Sequence, residues 1–233
     1  MHYPLDGLIE RNYCFALMKK RRLAWYEGRW IFLTLICALL VATLAHAWLV
    51  WFAIAGLFLF CLYFFRDPKR IPPSDPRIAV SPADGRVTLV DEVEEGQFFK
   101  LPMKRVSIFL SVFDVHVNRT PITGEVLFTE GRGGLYLDAR KPEASLLNES
   151  LFWVIGSEEK LEYAIGVKQI TGAIARRIVP WAKPGELLSR GERFGMIRFG
   201  SRTDLYLPLG AEVLVTVGEK VKGGESPVAI MPV

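Results

Sequence analysis

One uncharged stretch constrains this chain more than any other feature: from Ile31 to Phe65 there is no Lys, Arg, Asp or Glu. His46 is the only residue within it that could carry charge near neutral pH. As one straight helix the stretch would reach about 52 Å at ~1.5 Å per residue, against a hydrocarbon core of roughly 30 Å. Two full spans of about 20 residues each would need more chain than is available. Two arms of about 16 residues, broken near Ala45–Trp48, do fit the length. The pattern therefore predicts a hydrophobic helical hairpin over 31–65, after a basic segment, 1–30, and before a body, 66–233. It starts too late and runs too long for a cleavable signal peptide.

Charge supports a membrane location for that hairpin. Residues 1–30 hold six Lys/Arg against three Asp/Glu, residues 66–70 three against one, and residues 71–233 twenty against twenty-one. The net charge of +4 thus comes from the flanks of the apolar run. Lys19, Lys20, Arg21, Arg22 and Arg29 precede the run, and Arg66, Lys69 and Arg70 follow it. Basic residues at both ends place both on the cytoplasmic side, facing anionic lipid headgroups rather than nucleic acid. The three cysteines, Cys14, Cys37 and Cys61, show no C-x-x-C spacing, so neither a disulfide framework nor a metal site is indicated.

After the run, Arg66-Asp-Pro-Lys-Arg-Ile-Pro-Pro73 reads as an extended linker, because proline stops helices and biases the preceding residue to extended backbone. Short β-rich segments then alternate with Gly/Pro punctuation: Gly85–Val93, Val106–Phe113, Gly124–Phe128, Leu151–Ile155, Leu161–Val167, Gly195–Phe199, Asp204–Leu207 and Glu212–Val217. Such spacing predicts a mainly β body, a sandwich or barrel. Ile170–Ile178 fits helix or strand. Ala211–Glu225 repeats the punctuation of Val179–Glu192, as paired hairpins of a barrel-sandwich do. That echo allows a membrane-tethered carrier or adaptor module without catalysis. A carrier needs a lysine at a hairpin tip, and Lys220, in Gly-Glu-Lys-Val, fits this poorly.

Few residues in the body could carry acid–base chemistry. His116 is its only histidine, in Ser-Val-Phe-Asp-Val-His-Val-Asn-Arg-Thr-Pro, beside Asp114, Asn118 and Arg119. Asp84 lies in Ser81-Pro-Ala-Asp-Gly85, and Asp-Gly is an ordinary turn signal. Gly200-Ser201 is an ordinary loop dipeptide. Each alone has a plain structural reading.

Together, and in order, they carry a resemblance. Arg66–Pro68, Val80–Val87, Phe109–Pro121 and Arg193–Pro208, with Gln169–Gly172, Arg176–Val179 and Val217–Val221, are similar to the phosphatidylserine decarboxylases of the short prokaryotic type. The likeness covers residues 63–230. It implies a proenzyme that cuts itself between Gly200 and Ser201 into chains 1–200 and 201–233, which stay together. Ser201 would become a covalent pyruvoyl group, the cofactor, with Asp84 and His116 assisting. That chemistry suits the residue types: a serine hydroxyl needs a base, and the base works better when a carboxylate orients it. The resemblance further implies phosphatidylserine as substrate, phosphatidylethanolamine as product, and a place at the inner cell membrane with the body on the cytoplasmic side. Longer members carry a second histidine three residues after the first; here that position is Arg119. A relative acting on a different amino-acid headgroup would share these motifs.

Overall fold

A computed structural model of the chain describes residues 24–173 and 177–232. The basic cluster Lys19–Arg22 and the residues His2 and Cys14 lie outside them. Two helices open the described chain, α1 (Ala24–Leu44) and α2 (Trp48–Phe64). The chain reverses at Ala45–Ala47, where His46 takes a positive φ of 54°. The N–H groups of Ala45, His46 and Ala47 close the end of α1 by donating to Val41, Thr43 and Ala42. The first arm is longer than the apolar run predicts, because it takes in Ala24–Trp30. Glu27 explains this: it forms an ion pair with Arg198 of the body at 3.1 Å, which holds the extra turns against it.

The two ends of this helical pair live in different surroundings. At the tip, Leu44 and Leu49 are 73% and 89% exposed. At the base, Ala24, Phe64 and Phe65 are fully buried with Val115, Val117 and Met196 of the body. Gly28 allows the base to close, since a Cβ there would lie 2.8 Å from the Phe65 ring. Of the two helices, Ala24–Leu44 is long and apolar enough to cross a membrane, while Trp48–Phe64 is apolar but shorter.

The body is mainly β, as the spacing predicts. In chain order its strands are β1 (Ile78–Val80), β2 (Gly85–Glu95), β3 (Leu101–Leu110), β4 (Val117–Arg119), β5 (Gly124–Arg132), β6 (Ser150–Gly156) and β7 (Ile165–Ile170). There follow β8 (Arg177–Pro180), β9 (Leu187–Leu188), β10 (Arg193–Arg198), β11 (Ser201–Leu207), β12 (Glu212–Val213), β13 (Lys220–Val221) and β14 (Pro227–Ile230). An eight-stranded antiparallel sheet runs β13-β2-β3-β11-β7-β6-β5-β9 and curls into a half-barrel. Bulges at Val87/Leu89 and Val126/Phe128 add the local bend that curling needs. Two three-stranded sheets, β1-β14-β12 and β4-β10-β8, complete the body.

Alternation explains the core. Val106, Ile108 and Leu110 of β3, Leu205 and Leu207 of β11, and Ile165 and Val167 of β7 project to one face and meet Trp153, Phe194 and Val228. Intervening residues such as Phe152, Val154 and Tyr206 form a second, smaller cluster. Both faces of the central strands are covered, so β11 is buried along its whole length.

Two expected strands are displaced from their predicted bounds, and Glu212–Val217 keeps only Glu212–Val213 as strand. Glu158–Tyr163 forms a 3₁₀ turn, begun by Ser157, whose Oγ accepts from the Glu159 N–H at 3.3 Å, so β7 starts only at Ile165. The strand Val106–Phe113 ends at Leu110, because the Asp114 carboxylate pulls in the N–H and hydroxyl of Ser111 at 2.9 and 2.7 Å. In the ambiguous stretch 170–178, β7 ends at Ile170 and β8 begins at Arg177.

The segment after the helices is extended but firmly held. Asp67 accepts from Arg119 at 2.7 Å and lies 2.8 Å from Arg193 Nε. Arg190 donates to the carbonyls of Pro73, Asp75 and Ile78. Breaking a buried ion pair from one side leaves an uncompensated charge. Asp67→Ala, which strands two guanidinium groups, should therefore cost about 3–5 kcal/mol. Denaturant unfolding of the detergent-solubilised protein measures this, and a loss below ~1 kcal/mol would mean that the pair contributes as little as a surface one.

Candidate active site

The site is built on a corner. β10 belongs to one sheet and β11 to another, and only Phe199 and Gly200 join them. Both take a positive φ, 69° and 65°. Glycine adopts this freely, whereas a phenylalanine does so at a cost of order 1 kcal/mol that its surroundings must offset. Gly172 faces the corner so closely that a Cβ on it would collide with the Gly200 carbonyl. Ser201, the next residue, is fully buried and pairs with Leu110 of β3. Its Oγ has no hydrogen-bond partner among the described residues. A buried hydroxyl left unpaired beside a peptide held at unusual dihedrals is an exception that calls for a reason.

His116 reaches the same corner. It stands just before β4, and its Nε2 accepts the Gly200 N–H at 3.0 Å. Its Nδ1 lies 2.9 Å from the Asp114 carbonyl, to which it donates. The two contacts define the tautomer: the proton sits on Nδ1 and the Nε2 lone pair points at the Gly200 backbone. Burial pushes the imidazole down to about 4, more than the Asp114 contact raises it, so the ring is neutral at pH 7. Phe64, the last residue of α2, supplies part of that burial. Its ring centroid lies 4.4 Å from His116 and 4.4 Å from Phe199. The base of the helical pair thus packs on both the histidine and the strained corner.

Asp84 occupies a neighbouring wall. Ser81 Oγ donates to the Ala83 carbonyl at 2.6 Å and shapes the turn, and a Cβ on Gly85 would collide with the Phe109 carbonyl. The Asp84 carboxylate accepts from Arg70 at 2.6 Å and from the Gly223 N–H at 2.8 Å. Burial nevertheless pushes its pKa up, against the Arg70 charge and the Gly223 contact. Among the described residues no hydrogen bond joins Asp84 to His116. The structure therefore brings His116, Gly200 and Ser201 together and sets Asp84 beside them, paired elsewhere. Arg119 is buried and points away, donating to Asp67 and to the carbonyls of Gly191 and Pro68.

One cavity opens on the corner and a second, larger one adjoins it. The larger, about 710 Å³, has Asp84, Asp114, Tyr63 and Arg66 in its wall. The smaller, about 380 Å³, is lined by Gly200, Val112 and Gly172. Phe109, Ser111 and Arg140 line both. Sequence reasoning missed Phe64, Phe199, Arg70 and Gly172. Phe64 was hidden inside an apolar run read wholly as membrane hairpin, and Arg70 inside a linker. Gly172 ends one of the quoted motifs, and its lack of a side chain was the available signal. Lys220 pairs in register with Arg86 of β2 rather than standing at a free hairpin tip, unlike a carrier lysine.

Comparison with known proteins places the chain in a family. A family model described as phosphatidylserine decarboxylase matches residues 57–229. The phosphatidylserine decarboxylase proenzyme of Symbiobacterium thermophilum is 44% identical over 206 residues, 88% of this chain and 94% of that protein. That of Carboxydothermus hydrogenoformans is 44% identical over 208 residues, 89% and 96% of the two chains. That of Beijerinckia indica is 47% identical over 196 residues, 81% and 83%.

The burial of His116 has a measurable consequence. Its unfolded form binds a proton near pH 6.5 and its folded form near 4. Between those values the unfolded state holds more protons, so lowering the pH through this window should destabilise the fold. With only three histidines in the chain, NMR titration can follow the ring directly. Phe64→Ala should raise the His116 midpoint from about 4 towards 6.5. An unmoved midpoint would show that Phe64 does not desolvate it.

Proposed function

Because the chain belongs to the phosphatidylserine decarboxylase family, a family of carboxy-lyases, we propose that it converts phosphatidylserine to phosphatidylethanolamine and CO₂, using a pyruvoyl group made from its own Ser201. The observation that carries this reading is the buried, unpartnered Ser201 Oγ next to a glycine peptide at positive φ whose N–H is held by His116. A hydroxyl without a competing hydrogen bond, next to a carbonyl that no Cβ on residue 200 shields, suits attack on the preceding peptide.

The processing step follows from these atoms. Nε2 of neutral His116 takes the Ser201 hydroxyl proton, and Oγ attacks the Gly200 carbonyl carbon. The C–N bond breaks, the nitrogen takes up a proton, and an ester replaces the amide. Loss of the Ser201 α-proton then expels the Gly200 carboxylate and leaves dehydroalanine. Hydrolysis releases ammonia and leaves a ketone at the new terminus. The residues present fit the resulting group: Ser201 and His116 are fully buried, and the smaller cavity opens on Gly200. Once formed, the pyruvoyl group supplies the electron sink that ordinary side chains lack. His116 Nε2 can then take up a proton from water and pass it to the carbon from which CO₂ has left. Asp84, with its pKa raised, supports the site from the adjoining wall. The helical pair would anchor the body at the inner membrane, both ends cytoplasmic, with its exposed apolar tip in lipid.

Intact mass should find two chains, 1–200 and 201–233, the second resistant to Edman degradation because a pyruvoyl end has no amine. Ser201→Ala should stay uncut and release no CO₂ from carboxyl-labelled phosphatidylserine. His116→Ala and Asp84→Asn should slow cutting at least ~10²-fold, the usual range of a lost acid–base group. A single intact chain in active protein would falsify the reading. Release of CO₂ from another amino-acid headgroup alone would keep the chemistry and change the substrate. For the anchor, protease added outside sealed spheroplasts should not reach the body, and cleavage of the body there would mean a single span.

A further inference from the structure

The larger cavity is more basic than self-processing requires. Five cations line it: Arg66, Arg86, Arg140, Lys220 and Lys222. Its two carboxylates are already engaged, Asp84 by Arg70 and the Gly223 N–H, and Asp114 by Ser111. Arg140 pairs with Asp138 and Lys222 with Glu225. The other three cations have no carboxylate partner among the described residues. Arg66 donates to the carbonyls of Tyr63 and Phe113, and Arg86 to that of Gly218.

The placing of Arg86 and Lys220 is the informative detail. They stand directly opposite each other in the β2–β13 ladder, so both side chains leave the same face of the sheet. Like charges facing each other across a strand pair oppose the pairing. Both residues are exposed to the cavity rather than spread apart by neighbouring acids. An anion between them would turn that repulsion into two charge-assisted hydrogen bonds. Phe109, paired with Arg86 on the other side of β2, closes the back of the pocket.

We propose that this cavity is the phosphodiester subsite for the lipid headgroup, with Arg86 and Lys220 gripping the anionic oxygens and Arg66 adding charge at the mouth. The proposal rests on the decarboxylase reading and specifies how its substrate is held. Two features favour a lipid phosphodiester over a free anion. Tyr63 and Arg66 bring the base of the apolar helical pair into the wall, so the pocket opens where the body meets the proposed membrane surface. The smaller cavity at Gly200 shares three wall residues with it. A headgroup fixed by its phosphate in the first can therefore present its amino-acid end in the second.

The test compares wild type with Arg86→Gln, Lys220→Gln, the double variant and Lys220→Arg. Processing involves no lipid, so intact mass should show all of them cut. With phosphatidylserine in mixed micelles, each lost charge should raise KM about tenfold, the size of one ~1.4 kcal/mol contact, with kcat nearly unchanged. Lys220→Arg should keep the wild-type KM. Glycerophosphoserine should compete in wild type and far less in the double variant. An unchanged KM in the double variant overturns the proposal, and so does inorganic phosphate competing, at matched ionic strength, as strongly as glycerophosphoserine. Should cut wild type release no CO₂, the decarboxylase reading fails separately. Calorimetric binding of glycerophosphoserine then still decides the subsite: loss in the double variant upholds it, and equal binding overturns it.

Discussion

The hydrogen bond from the Gly200 N–H to His116 Nε2 holds the corner on which this structure turns. Without it, two consecutive residues at positive φ would have little reason to stay there. The bond works because each side of the ring is used: Nδ1 is anchored to the Asp114 carbonyl, and Asp114 is anchored by its carboxylate to Ser111. That chain of contacts ends β3 at Leu110, directly opposite Ser201. The termination of one strand and the start of another are thus one local arrangement, and the buried serine hydroxyl lies within it.

The helical pair belongs to this arrangement and is more than a tether. Phe64 stacks on His116 and Phe199, Phe65 packs on Gly28 and Phe32, and Glu27 pairs with Arg198 at the end of β10. A change in how the pair sits would alter the solvation of the histidine and the packing of the corner together. On the opposite side a neutral network does the same for the floor. Trp153 donates to Gln169, Gln169 to Asn118, and Asn118 to Thr203 of β11. Every member is buried, and the links are made in full, so the network specifies a position rather than leaving a polar cost unpaid.

Much of this was legible in the residues, and the limits have physical causes. An uncharged run too long for one span and too short for two announces a helical pair broken near Ala45–Trp48, because length alone decides it. Alternation and Gly/Pro punctuation locate most strands. The curl of the eight-stranded sheet was not legible, since bulges such as Val87/Leu89 leave no clear mark in composition. His116 and Ser201 stood out by scarcity and motif. Phe64 did not, because membrane and core select the same side chains. Nor did the role of Asp67, because an ion pair with Arg119 across 52 positions has no local signature. The position of Asp84 relative to His116 depends on Arg70 and Gly223, partners that come from a supposed linker and from a turn near the end of the chain.

Arg119 poses the remaining question, since longer members of the family carry a histidine at that position. Here its guanidinium is committed to Asp67 and two carbonyls, and its neighbour Arg193 shares the same carboxylate. Burial lowers its pKa, yet guanidinium stays charged at any working pH, so it can neither accept a proton from Ser201 nor return one. In the proposed mechanism the acid–base work at the corner is therefore assigned to the His116 ring alone. The geometry makes that feasible on one condition. In the uncut chain the Nε2 lone pair is occupied by the Gly200 N–H, one residue from the hydroxyl it would have to deprotonate. The first proposed task asks Nε2 to trade the Gly200 N–H for the Ser201 hydroxyl, and cutting the Gly200–Ser201 bond would leave Gly200 at a free chain end whose intact N–H no longer has to stay on that nitrogen. One histidine can serve both proposed tasks because the contact that holds it is made to a residue that processing would turn into a free chain end.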